Sequence, residues 1–192
     1  FLMETNEKSE VLPGVATSWE LSSDGLTWTF TTRKGVKFHD GKEVTTEDVL
    51  WTLRHYFGPQ AVDYASTQAQ IIARFTDRIE QTGPDKVSMT SKQPITYLSI
   101  LLSQAGPAWK GVLPKREKLQ DDADRKAFDK NPIGAGIMKL VDLSPAYSIK
   151  FERFDDHYYQ PKNGFPEDKR VNFKSLDLLL VPEEATRVAA RR

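Results

Sequence analysis

Cysteine is absent from the 192 residues, which removes disulfide scaffolds, cysteine-ligated metals and thiol catalysis. That absence is compatible with an oxidising compartment without requiring one. No apolar run approaches the ~18 residues a membrane-spanning helix needs; the densest is Leu178 to Val181. Neither sign of charge dominates, since Lys+Arg and Asp+Glu both number 27. A nucleic-acid partner would ask for a basic excess or stripe, so none is expected. The chain opens Phe1-Leu2-Met3-Glu4, without the basic region and small-residue cleavage site of a signal peptide.

Catalytic and metal-binding patterns are equally sparse. The three histidines, His39, His55 and His157, are far apart and form no HxH or HExxH spacing. No metal or other cofactor is expected. Gly14-Val15-Ala16-Thr17-Ser18 is not a nucleophile elbow. The pairs Asp121-Asp122 and Asp155-Asp156 sit in solvated charge runs, and adjacent side chains diverge instead of acting together as acid and base. His39 reads as a loop residue whose imidazole caps local backbone. An enzyme is not expected.

What is present is a soluble globular composition, 39% hydrophobic and 28% charged, with enough length for one sizeable core or two small ones. The most informative stretch is Ala16 to Gly41. Asp24-Gly25 is a turn pair flanked by alternating segments, which predicts a hairpin with a two-residue loop. That register sets Leu21 opposite Trp28 and Trp19 opposite Phe30. Four large apolar groups then share one face, with Glu20, Thr27, Thr29 and Thr31 on the other.

Beyond the hairpin, Thr45 is the expected N-cap of a helix over 46–56, with Asp48 completing a capping box. Val49, Leu50, Leu53 and Phe57 fall on its buried face, and Gly58-Pro59 ends it. A second helix is expected over 64–75, with Ile71, Ile72 and Phe75 on one face. Residues 79–81 and 87–89 flank Gly83-Pro84-Asp85 as another hairpin. A short helix from Pro94 through Leu102 follows, then a short extended piece at Gly111–Pro114, then a broken, charged helix over 115–128. Residues 136–143 and 147–153 predict a third hairpin across Ser144-Pro145-Ala146. The stretch 155–169 reads as surface loop and 172–181 as a strand. Trp19, Trp28 and Trp51 read as core. The mixture predicts an α+β fold with a mixed, largely antiparallel sheet, hairpins and packed helices.

The same residues carry a family resemblance. Trp19-Glu20, Ser23-Asp24-Gly25-Leu26-Thr27-Trp28-Thr29-Phe30 and Arg33-Lys34-Gly35-Val36-Lys37-Phe38-His39-Asp40-Gly41 resemble the signature of extracellular solute-binding proteins of family 5. The resemblance continues at Thr45 to Leu53, at Asn131-Pro132-Ile133-Gly134-Ala135-Gly136, at Phe151-Glu152-Arg153 with His157-Tyr158-Tyr159, and at Pro182 to Ala190. It implies a receptor of an ABC importer, outside the cytoplasmic membrane and in some cases lipid-anchored. Such a receptor would bind a peptide or other small solute and pass it to permease subunits. It implies part of a periplasmic-binding-protein type II-like lobe. Within 1–192, about 40–130 would be a helical and hairpin subdomain and 131–192 a return toward the main sheet. The two ends look cut, the last segment reading as a helix from Pro182 with no stop signal, so the second lobe is expected to lie outside this sequence.

Candidate ligand-facing residues follow from the resemblance. Tyr64 begins a stretch that resembles one facing the ligand in peptide-binding members, and Ser103-Gln104 lies where the family lines the cleft. Trp109 is either a cleft aromatic or a loop anchor. Gly134 and Gly136 follow an Asn-Pro turn and allow positive φ and close backbone approach. Ile137 and Met138 stand where the family has a proline and an aromatic. Two other readings stay open: a hydrolase-like domain using carboxylates with His39, and a protein-interaction module with apolar hairpin faces.

Overall fold

The structure is a computed structural model that describes residues 1–59, 61, 67–103, 111–115, 122–165 and 168–181. Its strands are β1 (Met3–Thr5), β2 (Val11–Pro13), β3 (Ala16–Leu21), β4 (Thr27–Thr32), β5 (Thr76–Gly83), β6 (Lys86–Ser91), β7 (Met138–Ser144), β8 (Ser148–Arg153) and β9 (Ser175–Leu179). The helices are α1 (Thr46–Phe57), α2 (Thr67–Phe75), α3 (Leu98–Leu101) and α4 (Asp122–Lys130). Among the described residues these strands form three antiparallel sheets, ordered β1-β2, β3-β4-β6-β5 and β7-β8-β9.

The first hairpin has the expected register, Trp19 across from Phe30 and Leu21 across from Trp28. Its turn is different. Gly25 N–H donates to Ser22 O and Ser22 N–H to Thr27 O, so the loop is four residues, Ser23 to Leu26. Only Gly25 takes positive φ, at 72°. Asp24 instead accepts from Ser22 Oγ and the Leu26 N–H, the behaviour of a short acidic side chain that folds a turn. Register survives because a two-residue and a four-residue loop centred on the same bond pair the same strand residues.

The apolar face continues across the sheet. Trp28 pairs with Met89 and Phe30 with Val87, and Ile79 lies beyond Met89. Phe30 and Val87 are fully buried, and α1 packs over β5 and β6 with Val49, Leu53 and Phe57 fully buried. Trp28 Nε1 donates to Ile95 O, so the ring's one polar atom is satisfied inside the core. The reverse face is a hydroxyl ladder, Thr27 with Thr90 and Thr29 with Ser88.

Helix α1 starts as expected. Thr45 Oγ1 accepts from Asp48 N–H, and Asp48 Oδ2 accepts from Thr45 N–H. Asp48 Oδ1 also accepts from Lys115 N–H, while Thr52 Oγ1 donates to Asp48 O and accepts from Leu113 N–H at 3.0 Å. Residues 111–114 therefore form no strand; they are strapped to α1 by side chains.

Several expectations differ from the structure. Trp51 is half-buried and stacks on His55 at 4.9 Å, outside the main core. Ile71 is half-exposed, because α2 turns Ala69 and Ile72 inward. Tyr97 is exposed and α3 spans a single turn. The largest difference is the stretch expected as surface loop. His157, Tyr158, Tyr159 and Phe165 are buried, with Tyr159 and Phe165 stacked at 4.0 Å. Arg33 lies 4.4 Å over the Phe165 ring and Lys169 4.4 Å over Tyr159, cations on aromatic faces that hold this knot to the rest of the chain. The expected terminal helix over 182–192 and residues 116–121 lie outside the described residues.

The strap makes a test. Thr52→Val keeps shape but leaves the Leu113 N–H without its acceptor, which should cost about 1–3 kcal/mol. Urea unfolding should show a lower midpoint at unchanged slope; an unchanged midpoint would mean that the hydroxyl does not hold this segment.

Candidate functional site

The loop Asn131–Gly136 joins α4 to β7, and the segment Phe38–Gly41 reaches it from the other side of the sequence. Phe38 N–H bonds Lys42 O and Gly41 N–H bonds Phe38 O, with Gly41 at φ 83°, a conformation glycine adopts without strain. This tight turn carries His39 outward to the loop. His39 N–H donates to Gly134 O at 2.7 Å, Gly134 N–H donates to His39 Nδ1 at 3.4 Å, and His39 Nε2 lies 3.1 Å from Gly136 O. An accepting Nδ1 assigns the ring proton to Nε2, which then donates to Gly136 O. Phe154 meets the same ring edge-on at 5.1 Å. His39 does cap backbone, but backbone 95–97 residues away and not its own.

Beneath this contact is a largely apolar cavity of about 290 Å³. Val15, Val112, Phe128, Ile133, Met138 and Leu140 line it together with Gly134 and Gly136. Neither glycine takes positive φ. A Cβ at Gly136 would meet nothing within 4 Å, and one at Gly134 would touch His39 at 3.5 Å, an ordinary contact. The local backbone therefore does not demand glycine here; what the two glycines provide is open space at the mouth of the cavity. Ile137 and Met138 keep the strand entry intact, Ile137 O accepting from Phe154 N–H and Met138 opening β7.

Of the other ligand-facing candidates, Ser103 is fully buried, bridges Met3 in parallel and donates its hydroxyl to Ile100 O. It does not line the cavity. Tyr64, Gln104 and Trp109 lie outside the described residues. The structure thus brings Gly134 and Gly136 together with His39, a partner that no spacing in the sequence connects to them. A second depression of about 510 Å³ lies between Arg33, Lys34, Glu43, Thr45, Glu47 and Asp85. Charges of both signs line it, α1's first turn is already capped there, and it holds none of the candidates.

Among the described residues no group of three or more His, Asp or Glu side chains converges as a metal site. No described helix is long and apolar enough to cross a membrane. His39 spends both ring nitrogens on backbone, leaving it no free lone pair with which to serve as a base.

The family model described as "Bacterial extracellular solute-binding proteins, family 5 Middle" matches residues 10–192. The chain belongs to that family. The oligopeptide-binding protein AppA of Bacillus subtilis is 31% identical over 180 residues, covering 91% of this chain and 31% of AppA. The structure of AppA in complex with a nonapeptide superimposes with a TM-score of 0.74 at 26% identity, over 98% of this chain and 35% of AppA. The structure of NikZ from Campylobacter jejuni in complex with Ni(L-His) gives a TM-score of 0.76 at 22% identity, over 99% of this chain and 35% of NikZ, a likeness of fold. The chain spans about a third of the length of the family 5 relatives it matches.

All three histidines of this family 5 chain hold their protons less tightly than usual. Burial pushes His157 down to about 4, with Glu4 opposing in part. Burial also lowers His39 against the Gly136 carbonyl, and it lowers His55 with Arg125 adding to the effect. The unfolded chain therefore takes up protons below the ordinary histidine value of about 6.5 that the fold resists. Stability is full above pH ~6.5 and should fall by about 2–3 kcal/mol as pH drops toward 4. Urea midpoints across that window should show the decline, and His157→Asn should flatten it; a flat wild-type profile would contradict the burial of neutral histidine.

Proposed function

We propose that this chain is part of the substrate-binding component of an ABC importer, which takes up an oligopeptide or similar small solute outside the cytoplasmic membrane and delivers it to the permease. The observation that carries this reading is the family match over 10–192 together with the likeness to a receptor whose structure holds a nonapeptide. The role is capture, not turnover: His39, the one histidine of the site, is committed to backbone contacts.

On this reading the cavity by Gly134 and Gly136 is part of one wall of the ligand cleft, and Tyr64, Gln104 and Trp109 are further candidates for ligand contact. The division into a helical and hairpin subdomain at about 40–130 and a return toward the main sheet at 131–192 belongs to the same proposal. It is supported by the β7-β8-β9 sheet. Leu176 and Leu178 are half-exposed and Leu180 is more open still, on the face where Leu140, Leu143, Ile149 and Phe151 also lie. An apolar face of this kind suits the packing of further chain belonging to the same lobe. Ligand capture would follow the closing of two lobes, with binding favouring the closed state.

One wall should bind poorly alone. Isothermal titration calorimetry with the tripeptide Ala-Leu-Ala should give no heat at micromolar concentrations for these 192 residues, and clear binding for a protein that also carries the second lobe. Micromolar affinity in the 192 residues alone would overturn the one-wall reading. Absence of binding to any of a panel of peptides by the two-lobed protein would overturn peptide capture.

A further inference from the structure

We propose that His39 is the positioning residue of the cleft wall: its neutral ring clips the Gly134–Gly136 backbone in place, and protonation releases the clip. This rests on the reading of the cavity as part of a ligand-facing wall, although the clip itself can be tested without any ligand.

Asn131 N–H ends α4 on Phe128 O, and β7 begins only at Met138. Between these points, among the described residues, the hydrogen bonds of Gly134 and Gly136 go to His39. Two of the three use the ring, one nitrogen accepting and the other donating. Only a neutral imidazole with its proton on Nε2 can do both. An imidazolium has two donors and no acceptor, so the Gly134 N–H would face an N–H in place of a lone pair. The clip is therefore a conditional contact between two loops that sequence holds far apart.

The ring's surroundings favour the neutral state. Lys139 on β7 and His157 from the buried aromatic knot face it as groups that disfavour a positive charge, Asp40 beside it in the turn favours one, and Phe154 covers its edge. Burial outweighs Asp40 and the Gly136 carbonyl, which extends the clipped state below the usual histidine range. The loop carries no side chain at 134 and 136 with which to anchor itself. Ile133 and Ala135 pack against the core, and the polar groups of the two glycines are met from outside by the His39 backbone N–H and ring.

The test separates the two ring nitrogens. Long-range nitrogen–proton NMR on the unsubstituted chain at neutral pH should find the His39 proton on Nε2. A proton on Nδ1 would overturn the proposal without any variant being made. Asparagine places an oxygen near the position of Nδ1, glutamine places an amide near Nε2, and phenylalanine keeps the ring shape alone. His39→Asn should keep the Gly134 amide protected from hydrogen exchange to within about threefold, whereas His39→Gln and His39→Phe should lose about tenfold, the worth of one hydrogen bond. Protection of Gly134 should likewise fall when the wild-type ring is protonated. Equal protection in all three variants would overturn the clip. A two-lobed protein that binds none of that panel of peptides while the exchange pattern holds would overturn peptide capture and leave the clip standing.

Discussion

Burial of one continuous apolar stripe, running from Trp19 and Leu21 through Phe30 and Trp28 to Val87, Met89 and Ile79, is the constraint on which the rest of the molecule depends. Because side chains alternate across a strand, a one-residue slip anywhere in that stripe would turn its aromatics to solvent. The hydroxyl ladder on the reverse face gives the same register a second reason to persist, since it satisfies Thr27, Thr29, Ser88 and Thr90 only in this alignment. Helix α1 then has one place to go. Its capping box sets where it starts, and its stripe of Val49, Leu53 and Phe57 sets which side lies down.

Elements ruled by local chemistry were legible in the sequence; those ruled by distant contacts were not. Thr45 and Asp48 cap one another three residues apart, and the Gly83-Pro84-Asp85 and Ser144-Pro145-Ala146 turns announce their hairpins by composition. The hairpin register was readable even though its turn differs, because pairing follows the centre of the loop and not its length. The aromatic knot of Tyr158, Tyr159 and Phe165 was not readable. Its rings are interleaved with Gly, Pro, Lys and Asp in no strand or helix period, so a periodicity argument assigns it to the surface. What pulls it inward is non-local: Arg33 over Phe165 and the Tyr158 hydroxyl bonded to the buried Glu4 carboxylate at 2.8 Å.

The candidate site shows the same division. Family resemblance pointed to Gly134 and Gly136, and these do line a cavity. The physical reason offered by sequence, positive φ, is absent at both. The residue that meets them, His39, was read as a loop residue capping local backbone beside Asp40-Gly41, with nothing to connect it to the distant glycines. A tight turn is a local feature, whereas the target of the side chain it projects is decided by the whole fold.

On the proposed reading, these observations explain why a wall for a small solute would be built this way. Loops carry specificity when a rigid scaffold positions them, and here the scaffold reaches the loop through side chains instead of secondary structure. Asp48 and Thr52 strap residues 111–115 to α1 on one rim of the cavity, while His39 holds residues 134–136 on the other. Each strap occupies a few polar atoms and leaves the cavity lining itself apolar. An apolar surface with its backbone fixed from behind can pack against solutes of varied sequence. On that reading, directional polar recognition would fall to residues that meet the solute from the opposite side.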